Sequence, residues 1–446
     1  MKAADQRHDR SLALADCNNF FVSCERRLNN DLDGRPVVVL SSNDGCVISR
    51  SNEVKKMGIR MGDPYFKIRD KLAFSGVAVR STNMSLYQEV SAEVMSVIKL
   101  YTDAAEIYSI DECFFNMAVS SVRDPVRHCR TIKRDVWDKS RIPISVGIAP
   151  TKTLCKLAAD HAKKDGLSAG VFWMDRSKYM DMSFMSQFEC SDIWGIGRKT
   201  SEKLARSGIN TASDLIRKDE MWIKKNLGIT GLYTSWELKG RGVHSLEAER
   251  RAPKSIMVSR SFGSPITGYE EMLDPLLCFT ASAARRLRRA GQAAGKMTVF
   301  ISTDRFDREN YYSNARETSF LDPVLLDSDL MAPAEQMLKE IFIQGYRYKK
   351  CGVLLSDLSD VSVGRQATLF DDAGNYERKI RGAAAVDSIN RECSHSIIKP
   401  AVLFEAPGHE KKWAPKSEFG SGCGHGKDSP LPDGLRFQTH SEDFLP

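Results

Sequence analysis

The stretch ALADCNNFFVSCE, residues 13–25, together with YSIDECFFN, residues 108–116, decides how the chain is read. The first opens as an apolar strand over residues 11–15 that ends on Asp16. The second reads as part of a hairpin over residues 107–117 that offers two adjacent carboxylates, Asp111 and Glu112. Neighbouring residues of a strand point to opposite faces, so both acids reach one site only if they sit at a turn or bulge. The non-periodic Ser109-Ile110-Asp111-Glu112 run between apolar flanks allows that. Isolated strand-end acids are ordinarily just solvated. Three that converge repel one another and are tolerated mainly when divalent cations neutralise them, and hard oxygen ligands select Mg²⁺. Two such ions about 3.5 to 4 Å apart suit nucleotidyl transfer to a 3′-hydroxyl.

Around these stretches the chain has the composition of a globular protein. Its 446 residues exceed one compact core, with 42% hydrophobic and 28% charged residues. No apolar run is long enough to span a bilayer, and the polar start MKAADQRHDR followed by Asp16 leaves no room for a secretory signal, so a cytoplasmic protein is expected. Eleven scattered cysteines without a C-x-x-C pair fit reduced thiols. The net charge of +7 is modest and favours a polyanionic partner only weakly.

Five regions separate by punctuation. A strand is predicted at residues 37–40, a turn at Asn43-Asp44-Gly45, a strand at 46–49 and then a helix stopped by Gly58. An αβ stretch with a strand at 144–149 and a helix at 151–164 follows. Short helices run from about Gly170 to Gly242, and residues 249–254 read as a linker. Strands and helices alternate over 255–358, with a strand at 297–303 and an amphipathic stretch at 333–342. Beyond Ser359 the chain is polar and Gly-rich and reads as a disordered interaction tail.

With GCVISRSNEVKKMGIRMGDP at 45–64, PISVGIAPTKTLCKLAADHAKKDG at 143–166 and WGIGRKTSEKL at 194–204 added, the sequence resembles the Y-family translesion DNA polymerases, most closely their UmuC-like branch. The resemblance spans nearly the whole chain. It implies an α+β, multidomain, right-handed polymerase. The palm would be residues 11–36 and 81–170, small fingers 37–80, and a helical thumb with a helix-hairpin-helix 171–242. A linker at 243–254, a little finger at 255–360 and a C-terminal extension at 361–446 would follow. The implied activity is error-prone, template-directed DNA synthesis past damaged bases in the bacterial SOS response. It would use deoxynucleoside triphosphates and two Mg²⁺ ions, without proofreading.

Carried over position by position, Asp16, Asp111 and Glu112 would be the catalytic, metal-binding carboxylates, with the Cys17 backbone carbonyl completing one metal shell; its soft thiol is not expected to ligate Mg²⁺. Phe21 would be the steric gate against a ribose 2′-hydroxyl; its bland role is a core aromatic. Ser49, Lys55 and Lys163 would bind the triphosphate. Lys152, Lys156 and Lys163 form a basic stripe on the predicted helix, in which only Lys163 is expected to meet phosphate and the rest to be solvated. Gly195, Gly197, Arg198 and Lys199 would hold DNA backbone at a helix N-terminus. Arg285, Arg286, Arg288 and Arg289 read equally as a solvated helix face or as DNA-backbone contacts.

Gln366, Leu369 and Phe370 fit a Q-x-x-L-F clamp-binding peptide, with Ala367 where leucine is usual. Expected partners are primer-template DNA, the sliding clamp, a processed UmuD-type subunit and a recombinase filament. Cys393, His395, Cys423 and His425 offer an uncommon zinc-ligand spacing. The second reading is a catalytically silent clamp- and DNA-binding accessory, and a third is a two-metal nuclease or nucleotide cyclase; the intact acid set and the downstream DNA-gripping motifs oppose these.

Overall fold

The computed structural model describes residues 11–117, 124–247, 252–361, 373–392, 398, 413 and 416–420. These form two compact units, one from residues 11–39 and 46–247 and the other from 40–45 and 252–420. Among the described residues no helix is long and apolar enough to cross a membrane.

Among the described residues twelve strands fall into three sheets. In chain order they are β1 (Leu12–Cys17), β2 (Val37–Leu40), β3 (Val47–Arg50), β4 (Ala78–Ser81), β5 (Ala105–Ile107), β6 (Glu112–Asn116), β7 (Ile144–Ala149), β8 (Val171–Trp173), β9 (Ile256–Ile266), β10 (Gln292–Thr303), β11 (Ser313–Val324) and β12 (Tyr348–Asp360). The first unit holds the five-stranded sheet β5-β6-β1-β7-β8 and the small sheet β3-β2-β4. The second unit holds β11-β10-β12-β9.

Alternation along β1 and β6 gives the five-stranded sheet two buried faces. Ala13, Ala15, Cys17, Cys113 and Phe115 join a core with residues such as Val90, Val94, Ile132 and Val136, from the helices Met84–Lys99 and Pro125–Ser140. Leu14 and Phe114 point the other way, into a second core with Leu154, Leu157 and Ala158 of the helix Lys152–Lys164. Asp16 and Glu112 share the parity of Leu14 and Phe114, so they lie on the face that this helix covers.

That helix is seated closely. A side chain at Gly147 of β7 would place its Cβ 2.2 Å from the Cys155 carbonyl oxygen and 2.3 Å from the Ala159 nitrogen, so only glycine lets the helix approach this far. Thr151 caps its start, its Oγ1 accepting from the Leu154 N–H at 3.3 Å. The buried Glu237, near the end of the helix Glu220–Leu238, accepts from the Thr153 N–H at 3.0 Å and from Val243 and His244 N–H at 2.8 and 3.1 Å. A buried carboxylate with three backbone donors is a satisfied one, and it fixes the helix end.

In the second unit, the helices Tyr269–Arg289 and Asp327–Ile341 pack on one face of the four-stranded sheet. The disordered tail expected beyond Ser359 is corrected over one stretch. Residues Ala373–Glu392 form a helix, and Ile380 and Trp413 pack against this core. Trp413 Nε1 donates to Asp274 Oδ2 at 2.6 Å, and its ring meets Phe279 edge-on at 5.8 Å. Polar, Gly-containing composition hid this helix because its anchors are few and far apart in sequence.

Candidate active site

The turn required for Asp111 and Glu112 to share a site is present, because the strand starts between them. β6 begins at Glu112, and Asp111 closes the turn before it, where the Tyr108 and Ser109 N–H groups both bond the Glu112 carbonyl, at 3.0 and 3.2 Å. Glu112 is the register partner of Asp16 across the antiparallel β1–β6 pair. The Cys17 N–H bonds the Asp111 carbonyl at 2.8 Å, drawing Asp111 to the end of β1. The Asp111 side chain accepts from Ser109 Oγ at 2.5 Å.

The electrostatics of the three acids are those of a crowded site. Burial pushes the Asp16 carboxyl up to about 7, against the pull of Lys163, and the negative charges of Glu112 and Asp111 add to the rise. Burial also raises Asp111, opposed by the Ser109 hydrogen bond and assisted by Glu112. The Cys17 thiol faces the opposite, apolar side, where burial holds it well above the usual thiol range.

Of the three lysines in the predicted stripe, Lys152 is buried and Lys156 half-buried, while Lys163 stays exposed. Each meets one acid of the sheet beneath. Lys152 Nζ lies 2.6 Å from Glu106 of β5, Lys156 Nζ 2.9 Å from Glu112 of β6, and Lys163 Nζ 2.6 Å from Asp16 of β1. The helix therefore crosses three adjacent strands with its cations in register with their carboxylates. The solvated reading of Lys152 is corrected by its burial, at 4% exposure. Lys156 also lies 4.6 Å from the Tyr108 ring centre and 5.6 Å from that of Trp194, and Trp194 Nε1 donates to the Tyr108 hydroxyl at 3.2 Å. Burial works to lower the Lys163 ammonium, but the paired Asp16 outweighs it and the group titrates higher than usual. With two of the three acids taken by ammonium groups, no three His, Cys, Asp or Glu side chains among the described residues stand arranged around a single metal position. The donor set itself, hard carboxylate oxygens with excess negative charge, fits a hard divalent cation.

A cleft of about 220 Å³ opens here between Asp16, Glu112, Lys156 and Asp160 on one side and residues 191–194 on the other. Phe21 lies in the first turn of the helix Phe20–Leu28, partly buried, its ring stacked on Tyr87 with centres 4.5 Å apart. Ser49 Oγ accepts from the Val22 N–H at 3.4 Å, tying β3 to that helix. Lys55, in the helix Asn52–Lys56, is held below the usual lysine range by burial and then by Arg50 and Lys163 beside it. Ser49, Lys55 and Lys163 thus belong to one neighbourhood, and Arg50 joins them. Sequence reasoning missed Arg50, Asp160 and Tyr87. Only the adjacency of Arg50 to Ser49 could have signalled any of them.

Gly195 adopts φ +89°, and Gly197 caps the helix Arg198–Arg206 without a side-chain bond, so the first N–H groups of that helix point outward between exposed Arg198 and Lys199. In the second unit, Arg288 corrects both readings offered for it. It is neither solvated nor open to DNA: Nε and Nη2 grip Asp387 at 2.7 and 3.0 Å, and Nη1 grips Asp327 at 2.8 Å. Gln366, Leu369, Phe370, Cys393, His395, Cys423 and His425 lie outside the described residues.

The family described as impB/mucB/samB matches residues 15–160, its C-terminal domain residues 253–369, and the family's HHH motif residues 182–209. The chain is 37% identical to Protein UmuC of Salmonella typhimurium over 414 residues, 91% of this chain and 96% of that one. It is 28% identical to DNA polymerase IV of Staphylococcus aureus over 371 residues, 81% of this chain and 99% of the other. Among solved structures, a Y-family DNA polymerase chimera of Dbh and Dpo4 superposes with a TM-score of 0.63 at 21% identity, over 78% of this chain and 99% of that one. The chain belongs to the impB/mucB/samB family, the UmuC-like branch of the Y-family translesion DNA polymerases.

Proposed function

We propose that the chain is a DNA-directed DNA polymerase that extends primers past damaged template bases in the SOS response, in the cytoplasm and without proofreading. The observation that carries this reading is the pairing of Asp16 with Glu112 across β1–β6, with Asp111 at the turn beside them. Asp16, Asp111, Glu112 and the Cys17 carbonyl would hold two Mg²⁺ ions, which when bound supply charge for activating a 3′-hydroxyl and for stabilising the pyrophosphate leaving group.

The chain's own groups do the remaining work. Lys163 and Lys55, with Arg50 beside them, concentrate positive charge next to the carboxylates, where a triphosphate would neutralise their mutual crowding. Phe21 excludes a 2′-hydroxyl by size. Gly195, Gly197, Arg198 and Lys199 present backbone N–H groups and charge to a DNA phosphate without reading sequence. Gln366, Leu369 and Phe370 dock the sliding clamp, and the C-terminal extension is where a UmuD-type subunit or a recombinase filament would engage.

Primer extension on a lesion-bearing template tests the core of this. Wild type should extend past the lesion and Asp111→Asn should not; equal extension by both would remove the carboxylates from the chemistry. Deleting residues 366–370 should reduce clamp-stimulated extension while sparing single insertions.

A further inference from the structure

Phe21 and Glu25 stand one helical turn apart on the helix Phe20–Leu28, so their side chains leave the same face. Tyr87, from the helix Met84–Lys99, engages both. Its ring lies on Phe21 with centres 4.5 Å apart and planes at 19°, and its hydroxyl donates to Glu25 Oε1 at 2.7 Å. Tyr87 is 0% exposed and Glu25 is 1% exposed. Asn83 fixes the start of the Tyr87 helix, its Oδ1 accepting from the Leu86 N–H at 3.2 Å while its carbonyl accepts from the Tyr87 N–H at 3.1 Å.

Stacking alone leaves a ring free to slide in its own plane, because the contact is broad and weakly directional. A hydrogen bond at the far end of the ring removes that freedom, and one to a carboxylate is shorter and stronger than one to a neutral acceptor. Burial, and then the Glu25 charge, push the Tyr87 hydroxyl far above the usual phenol range, so it remains a donor at every working pH. Burying a carboxylate is expensive, and a tyrosine needing only a partner is satisfied by a backbone carbonyl.

Resting on the reading of Phe21 as the sugar gate, we propose that Glu25 is a positioning residue for sugar discrimination: through Tyr87 it fixes the surface behind Phe21, so that the gate does not recede before a ribose 2′-hydroxyl. Phe21 makes the contact with the sugar. Glu25 and Tyr87 determine how firmly it is held. Gate stiffness, in addition to gate size, sets the selectivity.

The test is single-nucleotide insertion by the full chain, comparing kcat/KM for a deoxynucleotide and its matching ribonucleotide in wild type, Phe21→Ala, Tyr87→Phe, Glu25→Ala and Glu25→Gln. Tyr87→Phe and Glu25→Ala should lower the discrimination ratio roughly three- to tenfold, the scale of one ordinary net hydrogen bond, with deoxynucleotide insertion changed less than about twofold. Glu25→Gln keeps an acceptor and should restore most of the ratio. Tyr87→Phe preserves volume and stacking, so it carries the test if Glu25→Ala folds poorly in thermal melts. A ratio that collapses in Phe21→Ala but stays at wild type in Tyr87→Phe overturns the inference and leaves the gate standing. Equal losses for both nucleotides in Tyr87→Phe and Glu25→Ala also overturn it, reducing the pair to a core contact. An unchanged ratio in Phe21→Ala removes the gate reading itself.

Discussion

The helices Lys152–Lys164 and Tyr269–Arg289 each press basic side chains against carboxylates, one in each compact unit, and the two clusters resolve their charge in opposite ways. In the second unit Arg288 has two carboxylates in fork geometry. Burial works to lower its guanidinium, but Asp387 and Asp327 outweigh it and the group titrates above its usual range. In the first unit burial outweighs Lys163 at the carboxylates, and Asp16 is driven up to about 7 with Asp111 raised beside it. A group whose charged form is favoured by the fold stabilises it, and one whose charged form is disfavoured costs stability once ionised. The Arg288 cluster is thus a clamp, whereas the carboxylate site is a strained arrangement of the kind that function retains.

The widest effect should come from Asp111→Asn. Losing one member of a catalytic set costs about 10⁴-fold in turnover, read by primer extension. Its stability should move the other way. The folded-state pKa of Asp111 lies above its ordinary 3.8, so the folded protein holds that proton to higher pH than the unfolded chain, and stability falls as pH rises from 3.8 through the raised value. Asparagine still accepts from Ser109 but never ionises. In EDTA at pH 8 the variant should melt roughly 2 to 4 °C higher than wild type, and the gain should vanish below about pH 4. A lower melting point at pH 8 would mean that the site is not strained.

Arg288→Ala tests the other side. It leaves Asp387 and Asp327 without their cation in a setting where the arginine side chain is only 9% exposed, and about 3 kcal/mol should be lost in denaturant unfolding. Single-nucleotide insertion below the new melting point should persist. Arg288→Lys should recover little, since a point charge cannot bridge two carboxylates as a planar fork does. A loss under about 1 kcal/mol would place this cluster among ordinary surface pairs.

The contrast also explains what could be read in advance. The strand carrying Asp16, which runs one residue further to Cys17, the 144–149 strand and the helix capped by Thr151 were legible because apolar alternation and capping are local signals. The meeting of Asp16 with Glu112 was legible only through motif resemblance, since strand pairing across about a hundred residues leaves no local mark. The stripe Lys152, Lys156 and Lys163 was visible, but not its register with Glu106, Glu112 and Asp16, which depends on how deeply Gly147 lets the helix settle. Arg288 was hidden for a related reason. Its spacing matches that of its neighbours Arg285, Arg286 and Arg289, and its pairing with Asp387, 99 residues later in the chain, leaves no mark near it in the sequence.

That distinction leaves the smallest effect to be found among the neighbours. Burial, and then Arg285 beside it, lower the Arg286 guanidinium, and burial with Arg286 lowers Arg260 on β9. Like charges crowded in this way gain when a polyanion arrives. Each phosphate neutralised contributes about 0.9 to the slope of log affinity against log salt. The Arg285→Ala, Arg286→Ala, Arg289→Ala combination should therefore flatten the slope for primer-template DNA by about one to two, weakening binding evenly across sequences. Arg288→Met should leave the slope unchanged while destabilising the unit, because its charge is already matched by Asp327 and Asp387. If the triple variant keeps the wild-type slope, the arginine run has no role in holding DNA. If Arg288→Met flattens it equally, the two clusters differ less than their internal hydrogen bonds indicate, and Arg288 exchanges carboxylate for phosphate when DNA binds.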